Sequence, residues 1–257
     1  MREYNARTVF STKTEKYARF RWDYAPDAME AIVSITRLSS TSCLADLGAG
    51  TGILTEHFTR KAQRVFAIEP NEEMRQLLER KVGASLSVSV IDGFAEATNL
   101  PDASVDVITV AQAIHWFDPE PARTEILRIL KRNGWLAILR NYGIGEFDNA
   151  AGRLMTEEYG ADFSSKRNKP KEVPIPFYFG NGPFQKLIYP FQFRQGWEEF
   201  FGALTSASFM PDEDHPLFIK LEAEAQKVFS RYSDNGTLYG KVNVRGETEL
   251  FIGQPEK

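Results

Sequence analysis

A glycine-rich turn between a predicted strand and a predicted helix constrains the fold of this chain more than any other feature. The turn comprises Asp46–Gly52, with the sequence DLGAGTG, and it follows the apolar run Cys43–Ala45. From Ile53 to Phe58, apolar residues recur at helical spacing. Glycine tolerates a positive φ and has no Cβ, so a ligand can approach the backbone N–H groups at the positive end of the helix. The pattern therefore predicts a site for a ligand with an anionic or polar group.

Short apolar runs alternate with helical patterns between residues 42 and 141. Such alternation is typical of βαβ units, in which parallel strands are joined by helices that cover the sheet. We therefore predict an α/β fold with a doubly wound, mostly parallel, Rossmann-like sheet. The predicted strands are Cys43–Leu47, Arg64–Ile68, Ser87–Ile91, Val105–Val110 and Trp135–Arg140, and the predicted helices are Asp27–Leu38, Asn71–Lys81 and Glu120–Leu130, with a closing turn at Lys131–Gly134.

The composition and the hydrophobic pattern of the sequence change after Asn141. Aromatic residues, proline and glycine are frequent in Phe177–Gln195, and helical spacing returns in Trp197–Tyr232. Leu187–Arg194 is predicted as an edge strand, because Pro190 cannot donate a ladder hydrogen bond in a central strand. We divide the chain into an N-terminal helical lid (1–40), a core (41–141), a helical and irregular elaboration with the edge strand (142–240) and a final strand of the core sheet (241–257). The elaboration is expected either to cap a ligand site or to form a structural lobe.

Composition restricts the classes of partner. The formal net charge is −4 with both signs interspersed, whereas nucleic-acid binding requires a basic surface. No stretch has the length and apolarity of a membrane span, and the N-terminus lacks the apolar core of a signal peptide. Cys43 is the only cysteine, which excludes an internal disulfide, and His57, His115 and His215 do not have the spacing of metal ligands. We expect a cytoplasmic protein with no nucleic-acid, membrane or metal partner.

The spacing of the glycines restricts the nucleotide that the turn can hold. A dinucleotide site needs the pattern G-x-G-x-x-G, and Ile53 stands where its third glycine is expected. A Walker phosphate loop is excluded, because no Gly-Lys-Ser/Thr follows. The second predicted strand leads into Glu69, whose carboxylate can accept hydrogen bonds from both hydroxyls of a ribose. An acid at this place favours a ribose without a phosphate.

Five segments in this order resemble one known family. Asp46–Gly52 resembles the first motif of class I S-adenosylmethionine-dependent methyltransferases, and Val65–Pro70 resembles their second strand with its ribose-binding acid. Gly93–Ile108 resembles the stretch that packs on adenine and enters the fourth strand. Ala111–Phe117 and Glu125–Gly134 are similar to the small-molecule methyltransferases of the ubiquinone-biosynthesis and trans-aconitate-methyltransferase-like group. The resemblance implies S-adenosylmethionine as methyl donor, S-adenosylhomocysteine as product, and in-line transfer to a small-molecule acceptor.

The resemblance also implies roles for individual residues. Arg21 would clamp the carboxylate of the cofactor and Tyr17 would close over its methionine end. Asp46 would hold the amino group, although capping of the turn's own N–H groups is an alternative. Phe94 departs from the family, which has an acid here for the adenine amino group, so stacking on the base, or core packing, is expected instead; the amino contact would pass to the backbone of Ala95 or to Asp92. The implied cofactor contacts are Tyr17, Arg21, Asp46, Gly48, Ala49, Gly50, Gly52, Glu69, Pro70, Met74, Gly93, Phe94, Ala95, Ala111 and Gln112.

The acceptor side is predicted from the residues that follow the fourth and fifth strands. His115, Trp116 and Tyr142 are expected to line the acceptor pocket, together with Asn141. His115 is the candidate general base, with helix capping or stacking on Trp116 as the alternative. Methyl transfer does not require a dedicated base, because alignment of the acceptor can suffice. A non-catalytic cofactor-binding module stays an open alternative, and an NAD-dependent oxidoreductase is disfavoured by Ile53.

Overall fold

The protein is described here by a computed structural model that covers residues 13–83, 85–155, 159, 173–208 and 210–256. The strands are β1 (Cys43–Leu47), β2 (Arg64–Ile68), β3 (Val88–Ile91), β4 (Val105–Ala111), β5 (Leu130–Gly143), β6 (Phe184–Gln195) and β7 (Val242–Gly253). The α-helices are α1 (Thr14–Phe20), α2 (Pro26–Thr36), α3 (Ile53–Phe58), α4 (Glu72–Val82), α5 (Pro119–Ile129), α6 (Glu146–Arg153), α7 (Trp197–Thr205) and α8 (Phe218–Tyr232), and short 3₁₀ helices lie at Ile114–Trp116 and Ile175–Tyr178.

All seven strands form one sheet in the order β3-β2-β1-β4-β5-β7-β6. The first five strands are parallel, and β7 runs antiparallel between β5 and β6. The strand order reverses beside β1, because the chain moves outward to β2 and β3 and then returns to β4 on the other side. In open α/β sheets, ligands bind at the carboxyl edge near such a reversal. The predicted doubly wound, mostly parallel α/β fold is confirmed.

Alternate residues of the central strands pack on opposite faces of the sheet. Ile108 and Ile138 belong to the cluster of buried residues that α5 and the 3₁₀ helix at Ile175–Tyr178 cover. Val107 and Leu139, each one position away, belong to the cluster that α2 and α3 cover. Successive side chains of a strand point to opposite faces, so both sides of this sheet are buried. The rigid sheet fixes the positions of the loops at its carboxyl edge.

The predicted edge strand is observed and is longer than expected. β6 spans Phe184–Gln195 and pairs with β7 along its whole length, with Pro190 opposite Glu247. Proline has no backbone N–H, and the outermost strand of a sheet tolerates this loss because one side of it needs no ladder partner. The position of Pro190 therefore follows from the place of β6 at the end of the sheet.

The predicted turn at Lys131–Gly134 is wrong, because these residues lie within β5. Leu130 pairs with Val105 and Trp135 with Val107, so the four residues between them bulge opposite Asp106. Lys131 Nζ lies 2.8 Å from both carboxylate oxygens of Asp106. Oδ2 of Asp106 also accepts a hydrogen bond of 2.8 Å from the backbone N–H of Cys43. The Asp106 carboxylate therefore ties the bulge to β1 as well as β4.

A third cluster of buried residues lies over the carboxyl edge of the sheet and involves α6, α7 and α8. Phe147, Phe200 and Phe229, one from each helix, contact each other with ring centroids 4.9–6.3 Å apart. We call these three helices the cap. Parts of the predicted lid and elaboration, residues 1–12, 156–158, 160–172 and 209, lie outside the described residues. None of the described helices is long and apolar enough to cross a bilayer.

Candidate functional site

A cavity of about 800 Å³ lies at the carboxyl edge of the sheet, where the strand order reverses. We call it the larger cavity. Its volume is within the usual range for small-molecule sites, about 300–1,000 Å³. Most of the residues predicted to contact a cofactor line it, although they come from distant parts of the chain. They are Tyr17, Arg21, Gly48, Gly50, Glu69, Pro70, Met74, Phe94, Ala95, Ala111 and Gln112.

The glycine turn forms one wall of the larger cavity. Gly48, Gly50 and Gly52 have φ values of +69°, +57° and +83°, a region that disfavours side chains. The N–H groups of Gly48 and Ala49 both donate to the carbonyl of Ile68, at 2.9 and 3.0 Å. A Cβ on Gly48 would lie 2.7 Å from the Cβ of Ala113. The turn is therefore tied to the end of β2, and its close packing needs glycine.

Glu69 follows β2 and faces the same cavity. Its Oε2 accepts a hydrogen bond from the N–H of Gly50 at 2.8 Å, and its Oε1 accepts one from the N–H of Asn71 at 2.9 Å. Burial raises the pKa of Glu69 to about 7, although the two N–H bonds and Arg75 favour the ionised form. A carboxylate held this way still has lone pairs that can accept from two vicinal hydroxyls of a ribose.

Four predicted contact residues lie behind the wall rather than in it. Asp46 is buried and accepts hydrogen bonds from the hydroxyls of Thr55 and Thr109, at 2.6 and 3.0 Å. The suggested capping of the turn by Asp46 is wrong, because the N–H groups of Gly48, Ala49 and Gly50 have other acceptors. Burial raises the pKa of Asp46 to about 6. The other residues of this group are Ala49, Gly52 and Gly93, and the direct contacts suggested for all four stay predictions.

Phe94 and Ala95 line the larger cavity, and stacking of Phe94 on a base stays a prediction. Asp92, suggested for the adenine amino group, instead lies 3.2 Å from the guanidinium of Arg75 and does not line the cavity. Glu96 does line it and was missed by the sequence analysis, although it lies in the segment that begins at Gly93. Its Oε1 accepts from the N–H of Asp118 at 2.7 Å, and burial raises its pKa. Glu96 is thus the acid of this segment that faces the ligand space.

The residues after β4 form the part of the wall next to the glycine turn. Gln112 has a φ of +52°, a strained value for a residue with a side chain, and its N–H donates to the carbonyl of Leu139 at 3.0 Å. His115 and Trp116, in the following 3₁₀ helix, line the larger cavity with their ring centroids 4.9 Å apart. These two residues, predicted for the acceptor, therefore lie on the same cavity as the glycine turn. Catalysis by His115 stays a prediction.

A second cavity of about 630 Å³ adjoins the first, and we call it the smaller cavity. Tyr17, Arg21, Gln112, Asn141 and Tyr142 line both cavities. The guanidinium of Arg21 lies 4.9 Å over the ring of Tyr17. Within the described part of the chain, the buried Nε of Arg21 has no hydrogen-bond partner. A cation with a free donor therefore stands where the two cavities meet.

The smaller cavity lies between the sheet edge and the cap. Its wall is mainly apolar and includes Trp22, Phe147, Phe200 and Leu204. Asp148 also lines it, but its Oδ2 accepts from the N–H groups of Gly145 and Arg245, both at 3.3 Å, and burial raises its pKa. The sequence analysis did not predict this wall, because residues that are far apart in the chain form it and no local motif marks them.

Comparisons with known proteins show similarity to methyltransferases, in agreement with the geometry of the two cavities. Residues 45–138 match the family model described as "Methyltransferase domain". An uncharacterized methyltransferase of Schizosaccharomyces pombe is 35% identical over 134 residues, 52% of this chain and 52% of that protein. One from Mycobacterium bovis is 34% identical over 132 residues, 51% of each. The chain thus spans about half the length of the curated relatives it matches.

A solved structure shares the fold over most of its length. The YcgJ protein of Bacillus subtilis superimposes with a TM-score of 0.56 and 18% identity, covering 90% of this chain and 99% of that one. At this identity the likeness concerns the fold. The family match indicates S-adenosylmethionine as the cofactor, in agreement with the resemblance of the motifs. The larger cavity fits it, because Glu69 suits a ribose, the bare glycines admit a close ligand, and Arg21 has a donor to spare for a carboxylate.

Proposed function

We propose that this chain, whose residues 45–138 match the model of a methyltransferase domain, transfers a methyl group from S-adenosylmethionine to a small-molecule acceptor. One observation carries the proposal: two cavities of about 800 and 630 Å³ share Tyr17, Arg21, Gln112, Asn141 and Tyr142 at their junction. One cavity is lined by residues predicted for the donor, and the other lies under the cap, with Trp22, Phe147 and Phe200 in its wall. A methyl group that reached the junction would face an acceptor bound on the other side.

The cofactor supplies the reactive methyl carbon, so the chain has to bind, orient and exclude water. In this proposal Glu69 accepts from the ribose hydroxyls, Phe94 stacks on the base and Arg21 pairs with the carboxylate. All three residues line the larger cavity, and together they would fix the direction of the donor. The apolar wall at Trp22 and Phe200 would keep water from the acceptor side. His115 is available as a base for an acceptor that must lose a proton.

The first experiment tests the donor site by titration calorimetry with S-adenosylhomocysteine. We expect Glu69→Ala to weaken binding about 10- to 100-fold, because hydrogen bonds to a charged group contribute about 1.5–3 kcal/mol. Glu73→Ala removes an exposed acid of the first turn of α4 and serves as the matched control. A folded wild-type protein that binds no S-adenosylhomocysteine, or an equal affinity of wild type and Glu69→Ala, would contradict the assignment.

The second experiment tests turnover and the size of the acceptor. Purified protein is incubated with isotopically methyl-labelled S-adenosylmethionine and separate pools of small carboxylic acids, alcohols, phenols and amines. Label in a small product supports the proposal. Cofactor binding without transfer to any pool would favour the non-catalytic module, and binding of a nicotinamide dinucleotide instead would revive the oxidoreductase.

A further inference from the structure

The segment Arg21–Ala25 joins α1 to α2 and crosses the carboxyl edge of the sheet. Three of its residues line the cavities: Arg21 lines both, and Trp22 and Tyr24 line the smaller one. This segment is short and contains no regular structure. The position of Arg21 therefore depends on what holds the segment at its two ends.

Asn141, at the end of β5, holds the end nearer α2. Its Nδ2 donates a hydrogen bond of 3.0 Å to the carbonyl of Asp23, and its Oδ1 accepts one of 2.7 Å from the hydroxyl of Thr248. The same hydroxyl accepts from the N–H of Ala25 at 2.9 Å. Ala25 and Thr248 are both buried, so the bond between them is shielded from water, whereas the bond from Asn141 to Asp23 lies at the surface. Two points of the segment are thus fixed to the core sheet, Asp23 by the carboxamide of Asn141 and Ala25 by the hydroxyl of Thr248, which itself donates to Asn141.

Asn141 also connects this network to the strained residue after β4. The Nε2 of Gln112 donates to the backbone carbonyl of Asn141 at 3.2 Å, and Gln112 lines both cavities. An aspartate at position 141 could not donate to Asp23, and its charge would face a carbonyl oxygen. The network therefore requires an amide, which supplies a donor and an acceptor together.

The other end of the segment is held by the cap rather than by the sheet. Just before α1, Lys13 Nζ donates to the carbonyls of Ala207 at 3.1 Å and Met210 at 2.5 Å. At the end of α1, Phe20 packs on α7 at Gly202, where a Cβ would lie 2.3 Å from its ring. Arg21 and Tyr17 thus lie between an attachment to the cap and an attachment to the core.

We propose that Asn141 is a positioning residue for the cofactor, which holds Arg21 and Tyr17 over the place where the amino-acid end of S-adenosylmethionine binds. Asn141 lines both cavities, and its side-chain amide is engaged by Asp23 and Thr248. It acts on the ligand through the segment Arg21–Ala25. The inference rests on the proposed function, because it assumes that Arg21 meets the cofactor's carboxylate.

The test compares two ligands that differ only at the end in question. S-adenosylhomocysteine carries the amino-acid group, whereas 5′-methylthioadenosine has the same nucleoside and thioether without it. We expect Asn141→Ala to weaken binding of the first about 10-fold, the effect of losing hydrogen bonds that hold a binding group, and to change binding of the second less than about twofold. Arg21→Ala should likewise lower the ratio of the affinity for S-adenosylhomocysteine to that for 5′-methylthioadenosine. The double variant should bind S-adenosylhomocysteine no more weakly than Arg21→Ala alone, because both changes remove the same interaction.

Two further variants keep the test decisive. Thr248→Val is nearly isosteric and removes the bonds to Ala25 and Asn141, so it should also weaken binding of S-adenosylhomocysteine more than binding of 5′-methylthioadenosine. It replaces Asn141→Ala in the test if that variant fails to fold. Asn243→Ala changes an exposed asparagine of β7 and should leave both affinities unchanged. An equal loss for both ligands, no loss for either, or additive effects of Arg21→Ala and Asn141→Ala would overturn the inference. A wild-type protein that binds neither ligand would overturn the proposed function and this inference with it.

Discussion

Two buried acids at the ends of adjacent strands have different partners and hence different tasks. Glu69 accepts from the backbone N–H groups of Gly50 and Asn71 and faces the larger cavity. Asp46 accepts from the hydroxyls of Thr55 and Thr109, behind the cavity wall. A hydroxyl can rotate to serve an ionised or a protonated carboxyl, whereas fixed N–H groups favour the ionised form. The backbone N–H groups around Glu69 therefore favour its ionised form at the cavity, while Asp46 joins β1 to β4 and α3.

The raised pKa of Glu69 predicts how stability without cofactor depends on pH. Burial raises this pKa from 4.5 to about 7, so between these values the folded chain binds more protons than the unfolded chain. The free energy of unfolding should therefore fall as the pH rises through this window, by about 3 kcal/mol from Glu69 alone. Urea unfolding at pH 5, 6, 7 and 8 measures this change in the free energy of unfolding. Glu69→Gln cannot ionise and should flatten the profile; parallel profiles for wild type and variant would contradict the prediction.

The elements that the sequence predicts well are those with a local signal. Cys43–Leu47 and Arg64–Ile68 are observed with the expected bounds, because apolar runs and a glycine turn mark them. The start of β5 was missed, because it depends on the pairing of Leu130 with Val105 and on an ion pair between Lys131 and Asp106 across 25 residues. Periodicity does not report such contacts.

The glycine turn gives a prediction that separates packing from ligand access. A Cβ on Gly52 would lie 2.3 Å from Cδ1 of the fully buried Leu78, whereas one on Gly50 would have Met74 Sδ as its nearest neighbour, at 3.9 Å. Both positions have a positive φ, which costs an alanine about 1–2 kcal/mol. Gly50→Ala should lose about that much stability, and Gly52→Ala about 2–4 kcal/mol because of the added clash.

Urea unfolding measures both stabilities, and calorimetry with S-adenosylhomocysteine measures the ligand side. Gly50→Ala should lose most of its affinity while it stays folded, because its methyl group would enter the larger cavity. Equal stability losses for the two variants, or full affinity in Gly50→Ala, would contradict the assignment of Gly52 to close packing and of Gly50 to ligand access.

At the scale of the whole molecule, the site depends on contacts between distant parts of the chain. Asn141 reaches Asp23 across 118 residues, and Lys13 reaches Ala207 across 194. The sequence predicted that Glu69 and the glycine turn lie together at one cavity, since these residues belong to one βαβ unit. It could not identify the wall of the smaller cavity or the true partners of Asn141, because these follow from how the cap and α1 pack on the sheet.

Because α1 packs on the cap, we predict that a substitution in the cap changes the affinity for the cofactor even though the substituted residue does not contact the cofactor. Gly202→Ala would place a methyl group 2.3 Å from the ring of Phe20, so α1 should move away from α7. We expect faster hydrogen exchange in Thr14–Phe20, unchanged exchange in β1 and β4, and weaker binding of S-adenosylhomocysteine. Glu198→Ala is the control, because it removes only the exposed ion pair with Arg19 at the same contact, which contributes little. Faster hydrogen exchange in α1 with an unchanged affinity for S-adenosylhomocysteine would show that the position of α1 does not set the position of Arg21. Faster hydrogen exchange in β1 would show that the variant had loosened the core instead.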